Sequence, residues 1–248
     1  MTSLRCHALS KSFGGTRAVD RVTLSFPSGA ATALIGPNGA GKTTLVDLLT
    51  GVQSPDGGLV LVDGVETTGW PPHRLVRAGV VRTFQELRLV RQVSVLENVL
   101  VGLARPGEDG LRSSLFLGRQ SREQQWREQA RTLLDRVGLA EAEHQLAGEL
   151  SYGQQKLLNL AVILSTGAEV LIFDEPVAGV HPELAFRIVE ILRDLVREGR
   201  TVVFIEHDLD SVRRVADLVV LMDSGRVVLD GPPEEVFAQS AVLEAYLG

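Results

Sequence analysis

Hydrophobic and polar residues alternate along residues 4–9 (LRCHAL) and 22–26 (VTLSF), the pattern of half-buried strands. Residues 59–62, followed by Asp63-Gly64, predict another strand and a tight turn. These pieces predict a small antiparallel sheet. A second class of segment is a nearly continuous apolar run: 31–35 (ATALI), 170–173 (VLIF) and 201–205 (TVVFI); residues 79–84 (GVVRTF) predict a further strand, ending at Gln85. Such runs mark strands buried on both faces. Helical spacing is found from residue 45, over 93–103, 127–137 and 183–198, from Ser151 to about 165, and over 233–247. Ser94 is placed to cap its helix with Glu97 three residues on. Residues 218–229 predict a hairpin turning at Asp223-Ser224-Gly225. Residues 105–125 are broken by glycines and rich in Arg, Ser and Gln, and predict an irregular loop. Strands alternating with helices argue for an α/β fold with a largely parallel sheet covered on both faces.

Composition narrows the class. The chain has 248 residues and is 44% hydrophobic, enough for one large domain or two small ones. A net charge of −6 argues against general nucleic-acid binding. The single cysteine, Cys6, leaves no internal disulfide and fits a reducing compartment. The N-terminus lacks the apolar core of a signal peptide, and no apolar run approaches the ~20 residues that span a bilayer. The expectation is a chain soluble by itself, reaching any membrane through a partner.

The most specific chemistry lies in residues 33–44, ALIGPNGAGKTT, which fit G-x-x-x-x-G-K-[ST] between a strand and a helix. Gly36, Gly39 and Gly41 let backbone N–H groups converge on one anion, and the helix start adds its positive end. Lys42 is placed to reach β- and γ-phosphates, and the Thr43 hydroxyl to ligate Mg²⁺. The loop and helix start, Gly36, Pro37, Asn38, Gly39, Ala40, Gly41, Lys42, Thr43 and Thr44, form the predicted nucleotide-binding set. Asp174 and Glu175 end the apolar run 170–173. Asp174 is expected to hold Mg²⁺ and Glu175 to accept the proton of the attacking water.

Other positions carry two readings each. Phe13 either stacks on adenine or fills core. Gln85 either ligates Mg²⁺ and holds the attacking water or is a surface amide. Ser151, in LSYGQQ, either caps a helix or opens a second anion site, with Gly153 allowing close backbone approach. His207 is either a structural histidine or a ligand-facing one, since it follows the apolar run 201–205 at a strand's carboxyl end, where ligands of open α/β sheets bind.

Together these residues resemble an ATP-binding subunit of an ABC transporter over essentially the whole chain. Residues 36–44 match its phosphate loop, Gln85 its Q-loop and 150–154 its signature motif, here LSYGQ in place of LSGGQ. Residues 170–175 match the Walker B strand, His207 the switch histidine and Phe13 the adenine-stacking aromatic. The resemblance implies a P-loop NTPase (RecA-like) core with an antiparallel β subdomain, residues 1–86 and 160–248. An inserted α-helical subdomain, 87–159, would carry the signature. It implies ATP and Mg²⁺ held between two head-to-tail subunits, identical or paralogous. Ser151 and Gly153, with Gln154 of the same motif, would meet the γ-phosphate bound by the other subunit. It also implies membrane permease subunits, indirectly a solute-binding protein, no nucleic acid, and a place on the cytoplasmic face of the membrane.

The D-loop, Ala178-Gly179-Val180-His181, departs from the family pattern by ending in His where Asp is common. Residues 81–85 (VRTFQ), Tyr152 and the ending 245–248 (AYLG) are similar to the ATPases of branched-chain amino-acid importers. Urea or short-amide importers and lipopolysaccharide exporters are the alternatives within transport. A P-loop kinase would not need LSYGQ, the Asp174–Glu175 pair and His207 in this order. A nucleic-acid-associated ABC ATPase is disfavoured by the single cassette, the absence of heptads and the negative charge. Leu115-Phe116-Leu117 either packs on the helical subdomain or docks at the membrane subunits or the lipid interface.

Overall fold

The computed structural model describes residues 2–83, 89–103 and 119–239. In chain order its elements are β1 (Leu4–Phe13), β2 (Thr16–Phe26), β3 (Ala31–Ile35), α1 (Lys42–Leu49), β4 (Gly57–Val62), β5 (Val65–Glu66), α2 (Pro72–Arg77), β6 (Val80–Arg82), α3 (Val95–Leu103), α4 (Arg119–Val137), α5 (Tyr152–Ser165), β7 (Val170–Asp174), α6 (Pro182–Arg197), β8 (Thr201–Ile205), α7 (Leu209–Val215), β9 (Leu218–Asp223), β10 (Arg226–Gly231) and α8 (Pro233–Phe237). They divide into two compact units. The first comprises residues 1–82, 168–178 and 182–248; the second comprises 83–167 with 179–181.

The first unit holds both sheets. One is six-stranded, in the order β10-β9-β3-β8-β7-β6, with every pair parallel except β9–β10. Each residue of β3, β7 and β8 is buried. This is why those segments are nearly continuous apolar runs rather than alternating. β3 sits between β8 and β9. Open α/β sheets bind ligands outside the carboxyl ends of their parallel strands. The apolar face of α1, Leu45, Val46, Leu48 and Leu49, is buried in one core with Val203, Ile205, Val220 and Met222. Each such side chain contributes about 1.5–3 kcal/mol of burial, which fixes the start of α1 against the strand ends.

The second sheet is antiparallel, in the order β2-β1-β4-β5. β1 and β2 run further than alternation predicts, to Phe13 and from Thr16. The pairing register shifts between Cys6 and Leu9 and again between Leu9 and Lys11, and Ala8 and Arg21 take positive φ of 48° and 53°. Such bulges break the period of two while the pairing continues, so the apolar pattern ends before the strand does. The hairpin expected at Asp223-Ser224-Gly225 is present, with Arg226 paired to Asp223.

The second unit is helical. α3, α4 and α5 contact one another, burying Val95, Val99, Leu134, Leu157, Leu158 and Ala161. The predicted cap of α3 forms: Ser94 Oγ accepts from Glu97 N (3.2 Å), and Glu97 Oε2 accepts from Ser94 N (2.8 Å). The irregular loop expected over 105–125 is corrected, because α4 begins at Arg119, inside that stretch. Its first turns, RQSREQQ, carry no apolar period, so periodicity cannot find them. They are good helix formers, and Arg127 pairs with Glu123 one turn back at 3.1 Å. Gln85, Leu115-Phe116-Leu117 and the ending 245–248 lie outside the described residues, while the helix expected over 233–247 is corrected, since α8 stops at Phe237 with Ala238 as its C-cap. Among the described residues no helix is long and apolar enough to cross a membrane.

Candidate nucleotide site

β3 ends at Ile35 and the chain turns through residues 36–41 into α1. Two glycines set this turn. Gly36 has φ 141°, and a Cβ there would lie 2.0 Å from the Met222 carbonyl oxygen. Gly41 has φ 98°, and a Cβ there would lie 2.2 Å from the Ala18 carbonyl oxygen. Any side chain at either position would collide with backbone, which gives way poorly. The loop is tied to the β9–β10 turn, since Gly225 N donates to Ala40 O over 3.0 Å. α1 starts with Gly41 as its N-cap, no side chain capping it and no acidic residue in its first turn. Its first N–H groups and its positive end are left for an anion.

Lys42 is buried, and its Nζ donates to Gly36 O (2.7 Å) and Pro37 O (2.9 Å). Burial pulls its pKa below the ordinary lysine value, and the fields of Glu175 and Asp174 oppose that shift. Desolvation disfavours the ammonium, so an arriving phosphate would supply charge the lysine lacks.

The ends of β7 and β8 supply the facing groups. Glu175 follows Asp174 with φ 48°, and its N–H donates to Ile205 O over 3.0 Å. A left-handed glutamate is an uncommon, costly conformation of the sort that clusters at functional sites. His207 Nε2 lies 3.2 Å from Glu175 Oε1. Between them, Glu206 is 2% exposed. Its Oε1 accepts from Val177 N (2.9 Å) and its Oε2 from His207 N (3.2 Å), so one carboxylate ties both strand exits. Burial pushes the Glu206 pKa up; the backbone bonds oppose this and the nearby Glu175 charge adds to it.

A cleft of about 330 Å³ is lined by Ala18, Asn38, Gly39, Ala40, Gly41, Lys42, Thr43, Thr44, Glu175, Ile205 and His207. The structure thus brings the phosphate loop together with Glu175 and His207. Gly36 and Pro37 stand behind it as acceptors for Lys42. Asp174 is buried, its Oδ2 accepting from Arg82 Nη2 over 2.7 Å. Phe13 ends β1 at 48% exposure, which removes the core-filling reading. Ser151, Gly153 and Gln154 belong to the second unit, at the start of α5. There Ser151 Oγ accepts from Gln154 N (3.3 Å) and Gln154 Oε1 accepts from Ser151 N (3.0 Å). Sequence reasoning passed over Arg82 and Glu206. The available signal was a charge at the end of an apolar strand in each case.

A glycine loop entering a helix with an open, positive start, facing two acidic strand ends, defines an α/β protein of the P-loop nucleoside-triphosphate-binding class. The family profile described as ABC transporter matches residues 19–178. The chain belongs to the ABC transporter family, as one of its ATP-binding, ATP-hydrolysing subunits. It is 38% identical over 248 residues to the high-affinity branched-chain amino acid transport ATP-binding protein BraF of Pseudomonas aeruginosa, covering 99% of this chain and 97% of that one. It is 37% identical to the corresponding protein LivG of Escherichia coli, with the same coverage. A solved ATP-binding cassette of an ABC transporter in its ADP conformation superposes with a TM-score of 0.87 at 36% identity, covering 100% of this chain and 99% of that one.

Proposed function

We propose that this chain powers import of branched-chain amino acids or similar small polar solutes through separate permease subunits at the cytoplasmic face of the membrane. The reading of the cargo is supported by the names of the relatives, BraF and LivG, which it matches along nearly their full length. A second, identical or paralogous ATPase subunit completes the working unit head to tail, and a solute-binding protein delivers the cargo to the permease. The helical second unit, which carries α3, α4 and α5, is the part that faces the permease.

The catalytic reading rests on one observation, the gathering of residues 38–44 with Glu175 and His207 around one cleft. The loop N–H groups and Lys42 hold the β- and γ-phosphates, and Phe13 stacks on adenine. Glu175 accepts the proton of the attacking water, while His207, within hydrogen-bond reach of it, orients the carboxylate and the γ-phosphate. Among the described residues no three His, Cys, Asp or Glu side chains gather as a metal cage. Mg²⁺ needs no such cage beside a nucleotide, since one hydroxyl, one carboxylate, phosphate oxygens and waters complete its octahedron. Thr43 and Asp174 supply that hydroxyl and carboxylate, and the Gln85 amide is a further neutral oxygen donor in place of a water. The metal's chemistry there is to neutralise and orient the β- and γ-phosphate oxygens. Ser151, Gly153 and Gln154 serve the nucleotide held by the other subunit.

The chain, assembled with its permease and solute-binding protein in lipid vesicles, tests the proposal. Leucine-loaded binding protein should stimulate ATP hydrolysis and leucine should accumulate. Stimulation by urea or a short amide, with none by leucine, isoleucine or valine, would overturn the cargo assignment.

A further inference from the structure

Arg82 ends β6, and its buried guanidinium serves two carboxylates. Nη2 donates to Asp174 Oδ2 over 2.7 Å, with the side chains 6% and 3% exposed. Nη1 donates to Asp47 on α1. Asp174 is the carboxylate assigned above to Mg²⁺. Asp47 follows Thr43, the other assigned ligand, by four residues on one helix, so both fall on the same face of α1. A planar fork holds a carboxylate on each arm at fixed geometry, whereas a lysine ammonium is a compact point charge with rotatable donors.

We infer that Arg82 is a positioning residue that holds Asp174 before the nucleotide arrives, and that its sharing with Asp47 sets how readily Asp174 is yielded to the metal. This rests on the reading of the cleft as a Mg²⁺–ATP site. The physics is competition. A buried, charge-assisted bond between Arg82 and Asp174 is strong because little water screens it. A divalent ion approaching Asp174 meets a carboxylate already partly neutralised. Asp47 draws the other arm of the guanidinium toward α1 and weakens that hold. Removing the guanidinium takes a cationic donor away from Asp174, while removing the Asp47 charge takes away the carboxylate that competes with Asp174 for Arg82. The two changes therefore move metal affinity in opposite directions. A structural role, in which the triad only braces β6, β7 and α1, would loosen the site in both variants.

The measurement is the dissociation constant of Mn²⁺, read by electron paramagnetic resonance on the full chain saturated with ADP. Arg82→Met should bind Mn²⁺ at least about threefold more tightly than the unaltered chain, and Asp47→Asn at least about threefold more weakly. No change in either variant, or shifts of the same sign, would overturn the inference. Should Arg82→Met fail to fold, Asp47→Asn decides alone: weaker binding supports the inference, and unchanged or tighter binding ends it. If the unaltered chain holds Mn²⁺ no better than free ADP does, the Mg²⁺–ATP reading of the cleft falls first, and the inference with it.

Discussion

The starts of α1 and α5 answer the same need in opposite ways. Both leave backbone N–H groups pointing out of a helix end. At α1 no side chain returns to cap them, and the loop before it is held by glycines whose neighbours are backbone carbonyls. At α5 a full capping box closes the end, Ser151 with Gln154. The start of α3 supplies the contrast that explains the difference. It carries the same box, but with Glu97 where α5 has Gln154. A carboxylate cancels the positive end of a helix, whereas an amide satisfies the same N–H and adds no charge. α1 is therefore open to an anion from the outset. α5 is kept ordered by its own side chains yet still presents a positive end. α3 is closed for good. An open site suits a subunit's own nucleotide, and a capped but uncancelled one suits a phosphate that arrives with a second subunit.

Substitutions at the starts of α1 and α5, and at the strand ends that face α1 or tie the site, should break this pattern in graded ways. The largest effects belong to α1. Gly41→Ala puts a Cβ against the Ala18 carbonyl in a left-handed backbone, so the loop should fail to form and ATP binding should be lost in calorimetry. Lys42→Ala should leave the loop but cut hydrolysis by about 100-fold or more and greatly weaken ATP binding. Unchanged turnover in Lys42→Ala would remove the phosphate loop from the account.

Glu175→Gln comes next. It should slow hydrolysis by about 10²–10⁴-fold while ATP still binds, because a general base acts on water rather than on affinity. Size exclusion with ATP and Mg²⁺ should then show an accumulated dimer.

Gln154→Glu would turn the α5 cap into the α3 kind. Thermal stability should hold or rise slightly, by about 0.3–1 kcal/mol, because a carboxylate favours a helix start. ADP binding to the isolated chain should not change, yet hydrolysis by the assembled transporter should fall by about tenfold or more. Ser151→Ala should instead cost about 1 kcal/mol of stability from the lost cap. A Gln154→Glu subunit with full activity in the assembly would separate the start of α5 from phosphate binding.

The smallest effect is one of pH, at the Glu206 tie between β7 and β8. Its carboxyl is raised by burial in the folded chain. From the ordinary carboxylate range up to that raised value the folded state keeps the proton and the unfolded state does not. The folded state binds more protons there, so stability falls as pH rises through the window. In Glu206→Gln this decline should disappear, leaving a flatter melting temperature against pH, set against the loss of one backbone acceptor.

Much of this was legible in the chain. The phosphate loop announces itself because close backbone approach leaves no alternative to glycine at 36 and 41. The strands β3, β7 and β8 are legible because burial on both faces leaves them mostly apolar, with Thr32, Thr201 and the terminal Asp174 the polar exceptions. Pattern fails where a different force sets the structure. Bulges at Ala8 and Arg21 disrupt the period of two inside continuous pairing. The first turns of α4 have no apolar stripe to read. Arg82 and Glu206 are single charges at strand ends, and their roles depend on partners 92 and 29 residues away. The Ser151–Gln154 cap was half legible: Ser151 marked the cap, but the closing amide emerged only with the geometry.

The central claim, that α1 serves a subunit's own nucleotide while α5 serves the other's, is tested most directly by crosslinking. Asn38→Cys places a thiol in the phosphate loop of one copy and Ser151→Cys places one at the α5 start of another; the single native cysteine, Cys6, is buried. The two variants are mixed, given ATP without Mg²⁺ to prevent turnover, and oxidised. A covalent dimer should appear in the mixture, depend on ATP, and be absent from either variant alone. If the mixture yields no more dimer with ATP than without it, or Asn38→Cys alone yields as much, the division of labour between the two helix starts is wrong.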